Sequence, residues 1–130
     1  MSAVERGPDP RRYRVAEIET IPEQGGVLAD VGGREIGVFK SQGRLYAYEN
    51  RCCHQGGPVC SGEILGATRL VLGERGEALR EILDESEMRL VCPWHGWEYD
   101  LVTGEAAHDR RVRLRRFEVT VERGVVYVDA

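Results

Sequence analysis

The chain has 130 residues, of which 42% are hydrophobic and 31% are charged. These values are typical of one soluble globular domain and exclude a disordered or fibrous chain. The formal net charge of −4 at pH 7 argues against a nucleic-acid partner, because binding to phosphates requires a clustered basic surface. No run of about 18 apolar residues is present, so we expect no membrane-spanning helix and no membrane partner. No apolar signal core follows the pair Arg11-Arg12, and we expect a cytoplasmic protein.

The beginning of the chain changes character near residue 13. Residues 1–12 contain Ser, Gly, two Pro and several charges without an apolar period, which is typical of a flexible leader. Segments rich in β-branched and aromatic residues follow at 27–31, 34–40 and 44–48. Gly32-Gly33 and Gln42-Gly43 separate them, as in tight β-hairpins. We therefore predict one domain, residues 13–130, that begins with antiparallel strands.

Two later segments predict different structures. In residues 77–87, Leu79, Ile82 and Leu83 recur at helical spacing, which predicts a short inserted surface helix. We interpret this insertion as a solvated cover over the strands rather than a docking element. Near the C-terminus, apolar residues occupy every second position from 117 to 121 before Arg123-Gly124 turns the chain, which predicts a hairpin. The expected fold class is all-β and antiparallel, apart from that one helix.

The four cysteines lie in two groups, one at residues 52–60 and one at Cys92. In a chain without a secretion signal this usage indicates metal or redox chemistry more than disulfides. The three histidines are His54, His95 and His108. Two of them stand beside cysteines, so two loops each offer one thiol and one imidazole.

The spacing within the first loop selects among its cysteines. In an extended segment the side chains at i and i+2 share one side, so Cys52 and His54 can converge on one site while Cys53 faces away. Cys92 and His95 form the second half of the site as Cys-x-x-His. The glycines behind these residues allow tight turns that bring N–H groups towards thiolates, and the prolines restrict the loops. The residues concerned are Gly56, Gly57, Pro58, Pro93 and Gly96.

These motifs resemble a known family. Cys52-x-His54 with Gln55-Gly56-Gly57-Pro58, followed by the run 92–100 and by Thr103-Gly104, closely resembles the Rieske [2Fe–2S] ferredoxins and the Rieske domains of oxygenases. The resemblance implies the Rieske fold, an antiparallel β-sandwich with a small cluster-binding subdomain of two loops. It also implies one [2Fe–2S] cluster per chain, in which two histidines replace two cysteines on one iron. The implied cofactor and metal ligands are Cys52, His54, Cys92 and His95.

The resemblance implies one-electron transfer rather than catalysis. A mononuclear iron oxygenase site typically uses two histidines and a carboxylate, and only His108 remains once the cluster has its ligands. We therefore predict no catalytic residues and a transient carrier between a reductase and a terminal oxygenase or similar redox enzyme. A permanent small subunit of a multi-component oxygenase or reductase is one alternative. A structural zinc module is another, because two cysteines and two histidines also satisfy Zn²⁺.

The family pattern also implies neighbours of the cluster and a docking surface. High-potential members carry an extra cysteine in each loop and a serine that bonds to sulfide, whereas this chain has Gly57, Trp94 and Trp97 there. We therefore expect a potential in the lower part of the range of roughly −150 to +300 mV. Tyr99 is placed to hydrogen-bond a ligand thiolate, or is a plain core aromatic. The residues expected to surround the cluster or to form the docking surface are Gln55, Gly57, Pro58, Trp94, Gly96, Trp97 and Tyr99.

For the other cysteines, the third histidine and the arginine-rich segment we expect structural or surface positions. Cys53 and Cys60 are expected to be small buried residues, and His108 a surface residue. The arginines at 110–116 are expected to form a solvated strand face, with an acidic partner surface as the less favoured use.

Overall fold

The structure is a computed structural model that describes residues 12–53, 56–94 and 96–130. These ranges contain eleven β-strands, two short 3-10 helices at Ile18–Thr20 and Val59–Ser61, and no α-helix. Arg12 already belongs to the first strand. The other residues of the predicted leader lie outside the described ranges, so the division into leader and domain stays a prediction. The strands, in chain order, are β1 Arg12–Glu17, β2 Gly25–Val31, β3 Arg34–Ser41, β4 Arg44–Glu49, β5 Glu63–Leu72, β6 Ala78–Val91, β7 Glu98–Asp100, β8 Glu105–Ala106, β9 Asp109–Arg113, β10 Arg116–Glu122 and β11 Val125–Asp129.

The strands form two antiparallel sheets. The larger sheet has the order β1-β11-β10-β4-β3-β2, and the smaller one has the order β5-β6-β7-β8-β9. The predicted hairpins are present, because β2 pairs with β3, β3 with β4, and β10 with β11. The all-β, antiparallel prediction is therefore confirmed.

Alternation along the central strands divides the apolar side chains between two cores. In β4, Tyr46 and Tyr48 belong to one buried cluster while Ala47 belongs to the other, as expected when successive side chains point to opposite faces. The first cluster joins the two sheets and includes Leu90, Tyr99 and both Cys52 and Cys92. The two cysteine loops are thus anchored directly to the core between the sheets.

The predicted helix at 77–87 is wrong, because this segment belongs mainly to β6. Strands β5 and β6 pair with each other from Glu63–Val91 to Leu72–Ala78, whereas β7 pairs only with Arg89–Val91 of β6. The outer part of this long hairpin therefore extends beyond the sheet, and we call it the hairpin arm (residues 67–84). Leu72, Leu79 and Ile82 are 57%, 61% and 43% exposed on it.

In the described part of the chain, no helix is long and apolar enough to cross a bilayer.

Candidate metal centre

Two loops of matching geometry carry the buried thiols. The first loop follows β4, and the second connects β6 to β7. The N–H of Cys52 donates to the Gly57 carbonyl, and the N–H of Cys92 donates to the Trp97 carbonyl, both at 2.8 Å. Each cysteine therefore starts a turn that closes five residues later.

A glycine occupies the same place in both turns. Gly56 and Gly96 each lie four residues after their cysteine, and each has φ of +70°. This left-handed region is strained for residues with a Cβ, so the repeated Cys-x-x-x-Gly spacing has a conformational cause. The spacing of the histidines differs between the loops, but both turns have the same closing hydrogen bond and the same glycine conformation.

The structure brings the two predicted ligand thiols together in the core. Cys52 is 3% exposed and Cys92 is 1% exposed. Burial raises the pKa of Cys92, and its hydrogen bond with the Cys52 thiol adds to this effect, while a bond from the Trp94 backbone N–H opposes it. Two adjacent thiols in a dry site would repel each other once ionised, so a cation is needed to hold both as thiolates.

Tyr99 bridges the thiol pair and the neighbouring backbone. Its ring is fully buried, and its hydroxyl lies 3.1 Å from the Cys52 Sγ. The same oxygen accepts the Cys53 N–H at 3.1 Å. Burial, followed by the interaction with Cys52, raises the pKa of Tyr99. The hydroxyl therefore keeps its proton and is able to donate to sulfur, which is one of the two roles predicted for Tyr99.

The other two cysteines have different surroundings. Cys60 is 6% exposed, and burial raises its pKa to about 12, as expected for a small core residue. Cys53 is exposed, so the expectation that it is buried is wrong. Its Sγ donates to the Arg113 carbonyl at 3.1 Å, away from Cys52 and Cys92. The cause is the turn itself, which directs alternate side chains to opposite sides and leaves Cys53 on the outside.

Aromatic side chains cover the two loops. Trp94 of the second loop is 50% exposed and lies against Gly57 of the first, where an added Cβ would come within 2.9 Å of the indole. Gly57 is therefore needed for the two loops to approach. The rings of Trp97 and His108 meet edge to face at 4.2 Å, and His108 is exposed, as expected for a surface residue.

Several predicted site residues are not part of the described structure. His54, Gln55 and His95 lie outside the described ranges. No group of three or more metal-binding side chains occurs within residues 12–53, 56–94 and 96–130, so the described half of the site is the thiol pair. A buried thiol pair that receives N–H and O–H donors fits a cluster of iron and sulfide, for which thiolates are the usual ligands.

One feature beside this site was not predicted from the sequence. A groove of about 370 Å³ runs along the outside of the first loop and is lined by three arginines, Arg51, Arg113 and Arg115. Cys52 and Cys53 also line it. Arg51 is separated from the other two arginines by about sixty positions in the chain, so only the tertiary fold brings them together.

Comparison with known proteins finds a matching family. The model of the Rieske [2Fe-2S] domain matches residues 11–118. A Rieske domain-containing protein of Homo sapiens is 27% identical, over 93% of this chain and 78% of the relative. The ferredoxin component of the alkene monooxygenase system of Xanthobacter autotrophicus is 28% identical, over 76% of this chain and 65% of the relative. Among solved structures, a chain from the complex of reduced oxygenase and oxidized ferredoxin in carbazole 1,9a-dioxygenase superposes with a TM-score of 0.68 at 24% identity, over 93% of this chain and 94% of that one.

Proposed function

The chain belongs to the Rieske [2Fe–2S] domain family, and from this premise we propose that it is a one-electron carrier for a separate redox enzyme. Its cofactor is the Rieske-type [2Fe–2S] cluster of that family. The observation that carries the proposal is the pair of buried thiols presented by two turns of the same geometry. When bound, the cluster accepts one electron and releases it again without a change in the protein's covalent structure.

We assign the ligands as Cys52 and Cys92 on one iron and His54 and His95 on the other. Two observations support the cysteine half of this assignment: both thiols are buried in one core cluster, and hydrogen-bonding groups lie against them, namely the Tyr99 hydroxyl at Cys52 and the Trp94 backbone N–H at Cys92. Cys53 faces the opposite side and Cys60 lies in the core below, so neither is assigned as a ligand. The histidine half rests on the motif alone.

The residues around the thiols keep water out and the geometry constant. The Tyr99 hydroxyl lies 3.1 Å from the Cys52 sulfur and accepts the Cys53 N–H, which ties the first loop to strand β7. Trp94 packs on Gly57 and closes the gap between the loops. A rigid site of this kind changes little between the two oxidation states, which favours fast electron transfer.

The proposed partners are a reductase as donor and a terminal oxygenase as acceptor. One relative is named as the ferredoxin component of an alkene monooxygenase system, and a similar chain was solved within an oxygenase and ferredoxin complex. Exposed Trp94, together with Gln55, Pro58 and Trp97 from the same two loop motifs, forms the proposed set of docking residues. Redox complexes have small interfaces and short lifetimes, which suits a surface built around one exposed indole.

The cofactor is tested on the purified protein by iron and acid-labile sulfide analysis, visible absorption and EPR. We expect equal amounts of iron and sulfide and, after dithionite reduction, a signal from one unpaired electron per cluster. A colourless protein that contains zinc would refute the proposal, because Zn²⁺ is d¹⁰ and does not change oxidation state.

The carrier role is tested in a reconstituted chain of NADH, the reductase of a ferredoxin-dependent oxygenase, this protein and cytochrome c. We expect cytochrome c reduction to depend on the concentration of this protein. A loaded protein that the reductase cannot reduce, and that does not stimulate the reaction, would contradict the role assigned here.

We also propose a cytoplasmic location. No disulfide joins any of the four cysteines, and Cys53, which is not assigned as a ligand, is exposed; an exposed thiol suits a reducing compartment. Cell fractionation with an antibody to the protein tests this directly.

A further inference from the structure

A basic groove lies beside the first cysteine loop. We define the basic groove by Arg51, Arg113 and Arg115, and its lining also includes Cys52 and Cys53. Arg51 is exposed and extends over Gly56, where a Cβ would lie 3.6 Å from its Nε. Glu49 is the single acidic residue among the described residues that line the groove. The lining therefore carries a net positive charge, directly against the ligand loop.

Two of the three arginines have no ionic partner within the described ranges. Neither Arg51 nor Arg115 forms an ion pair among the described residues, and Arg115 is held by the face of Phe117 at 5.3 Å. Arg113 reaches Glu105 only at 3.8 Å, and its side chain is 63% exposed. The guanidinium groups are therefore available to a ligand, and planar guanidinium groups bind carboxylates through paired hydrogen bonds.

The groove is opposite in sign to the protein as a whole. Its described lining carries three arginines and one glutamate, whereas the whole chain has a net charge of −4. A local basic surface on an acidic protein orients an approaching partner more strongly than an evenly charged surface would. Because Cys52 is among the residues that line the groove, a partner seated there would be held beside the proposed cluster ligand.

We propose that the basic groove docks a carboxylate-rich surface of the protein's redox partner and thereby orients that partner for electron transfer. This inference rests on the proposed carrier function. Charge complementarity favours a protein with clustered Asp and Glu side chains over a neutral or basic partner. The groove adds an electrostatic contact beside the first cysteine loop to the docking surface proposed above.

The test uses two protein acceptors of opposite charge. The reduced, cluster-loaded protein is mixed in a stopped-flow instrument with plastocyanin, an acidic copper protein, or with cytochrome c, a basic haem protein. We expect oxidation by plastocyanin to slow as salt rises, because the groove attracts it. If only the net charge of −4 acted, salt would instead speed this reaction by screening repulsion. An increase in rate with salt would therefore overturn the proposal.

Charge-reversal variants test whether the attraction of plastocyanin arises from the groove. Arg115→Glu and Arg51→Glu should each slow the plastocyanin reaction about threefold to tenfold at low ionic strength, and should not slow the cytochrome c reaction. Arg44→Glu is the matched control, because Arg44 is exposed at the opposite end of β4, roughly 15 to 20 Å along the strand from Glu49. Equal effects of Arg44→Glu and Arg115→Glu would refute a role for the groove.

Two further measurements distinguish partner docking from loss of the cluster and from binding of a free anion. Arg51 adjoins a proposed ligand, and its replacement by Glu could therefore remove the cluster spectrum. In that case the rate measured with Arg115→Glu decides whether the groove docks the partner, since Arg115 lies outside both cysteine loops.

Phosphate and chloride are then compared at equal ionic strength. Inhibition of the plastocyanin reaction by phosphate alone would indicate a site for a free anion and overturn protein docking. Failure of both acceptors to oxidise the loaded protein would refute the carrier function itself, whereas normal oxidation without an effect of groove charge would refute only the docking.

Discussion

Removal of the Tyr99 hydroxyl should lower the reduction potential of the protein. The hydroxyl lies 3.1 Å from the Cys52 Sγ and also accepts the Cys53 N–H at 3.1 Å. Reduction places more negative charge on the sulfur ligands, so an O–H donor stabilises the reduced state more than the oxidised state. Tyr99→Phe deletes this donor and retains the buried ring.

The size of the shift follows from the strength of the lost bond. A hydrogen bond to a charged group contributes about 1.5 to 3 kcal/mol. Of this, we assign about 0.5 to 1.5 kcal/mol to the difference between the two oxidation states. Since one electron at 59 mV corresponds to a tenfold change in the equilibrium constant, the potential should fall by roughly 20 to 65 mV. The Cys53 N–H also loses its partner, which should cost about 1 to 3 kcal/mol of stability.

The assay is a potentiometric titration of the cluster absorption, with denaturant unfolding measured in parallel. Tyr48→Phe is the matched control, because Tyr48 is also fully buried and its hydroxyl donates to the Leu101 carbonyl at 2.6 Å rather than to Cys52. We expect the control to lose stability at an unchanged potential. If Tyr99→Phe loads its cluster and keeps the wild-type potential, or if both variants shift it equally, the reasoning from the Tyr99–Cys52 contact is wrong.

Three further predictions concern the loops and the hairpin arm. Cys92→Ser should abolish the visible spectrum of the loaded protein, whereas Cys53→Ser should retain it; loss of the spectrum in Cys53→Ser would contradict the ligand assignment. Gly62→Ala should lower the free energy of unfolding by about 3 kcal/mol or more, because the added Cβ would overlap the backbone oxygen of Val91. Denaturant unfolding measures this change. A decrease below about 1 kcal/mol would show that the loop shifts to make room for the methyl group. Replacement of residues 68–83 by a two-residue Asn-Gly turn should leave the spectrum and potential unchanged, since the hairpin arm pairs only with itself; a colourless product would show that the arm supports the site.

The failed helix prediction shows where periodicity is misleading. Leu79 and Ile82 fit a helical spacing, yet both lie in β6 and are exposed. A strand with one buried face needs alternating apolar residues, but most of residues 72–80 are exposed, and packing there imposes no such period. The apolar spacing in this segment therefore carried no information about its secondary structure, and pairing with β5 decided it.

The prediction that Cys53 is buried was also wrong because tertiary structure, and not a local pattern, decides burial. Free cysteines are commonly buried, but burial depends on which side of the turn a residue occupies. Alternation along the loop places Cys53 and Cys52 on different sides, as predicted, and the structure shows the far side of this loop to be solvent. The same solvent-facing side is where Arg113 and Arg115 meet Arg51 from another part of the chain.

The sequence by itself determined the family, the cofactor and the antiparallel hairpins, because ligand spacing and turn glycines are local features that short segments encode. Only the tertiary structure decided that Cys52 and Cys92 share one buried core cluster, that the Tyr99 hydroxyl lies 3.1 Å from the Cys52 sulfur, and that three distant arginines form a basic groove. These contacts join residues about forty to sixty positions apart, and their distances are set by the packing of the two sheets on a shared core, which no local pattern in the chain specifies.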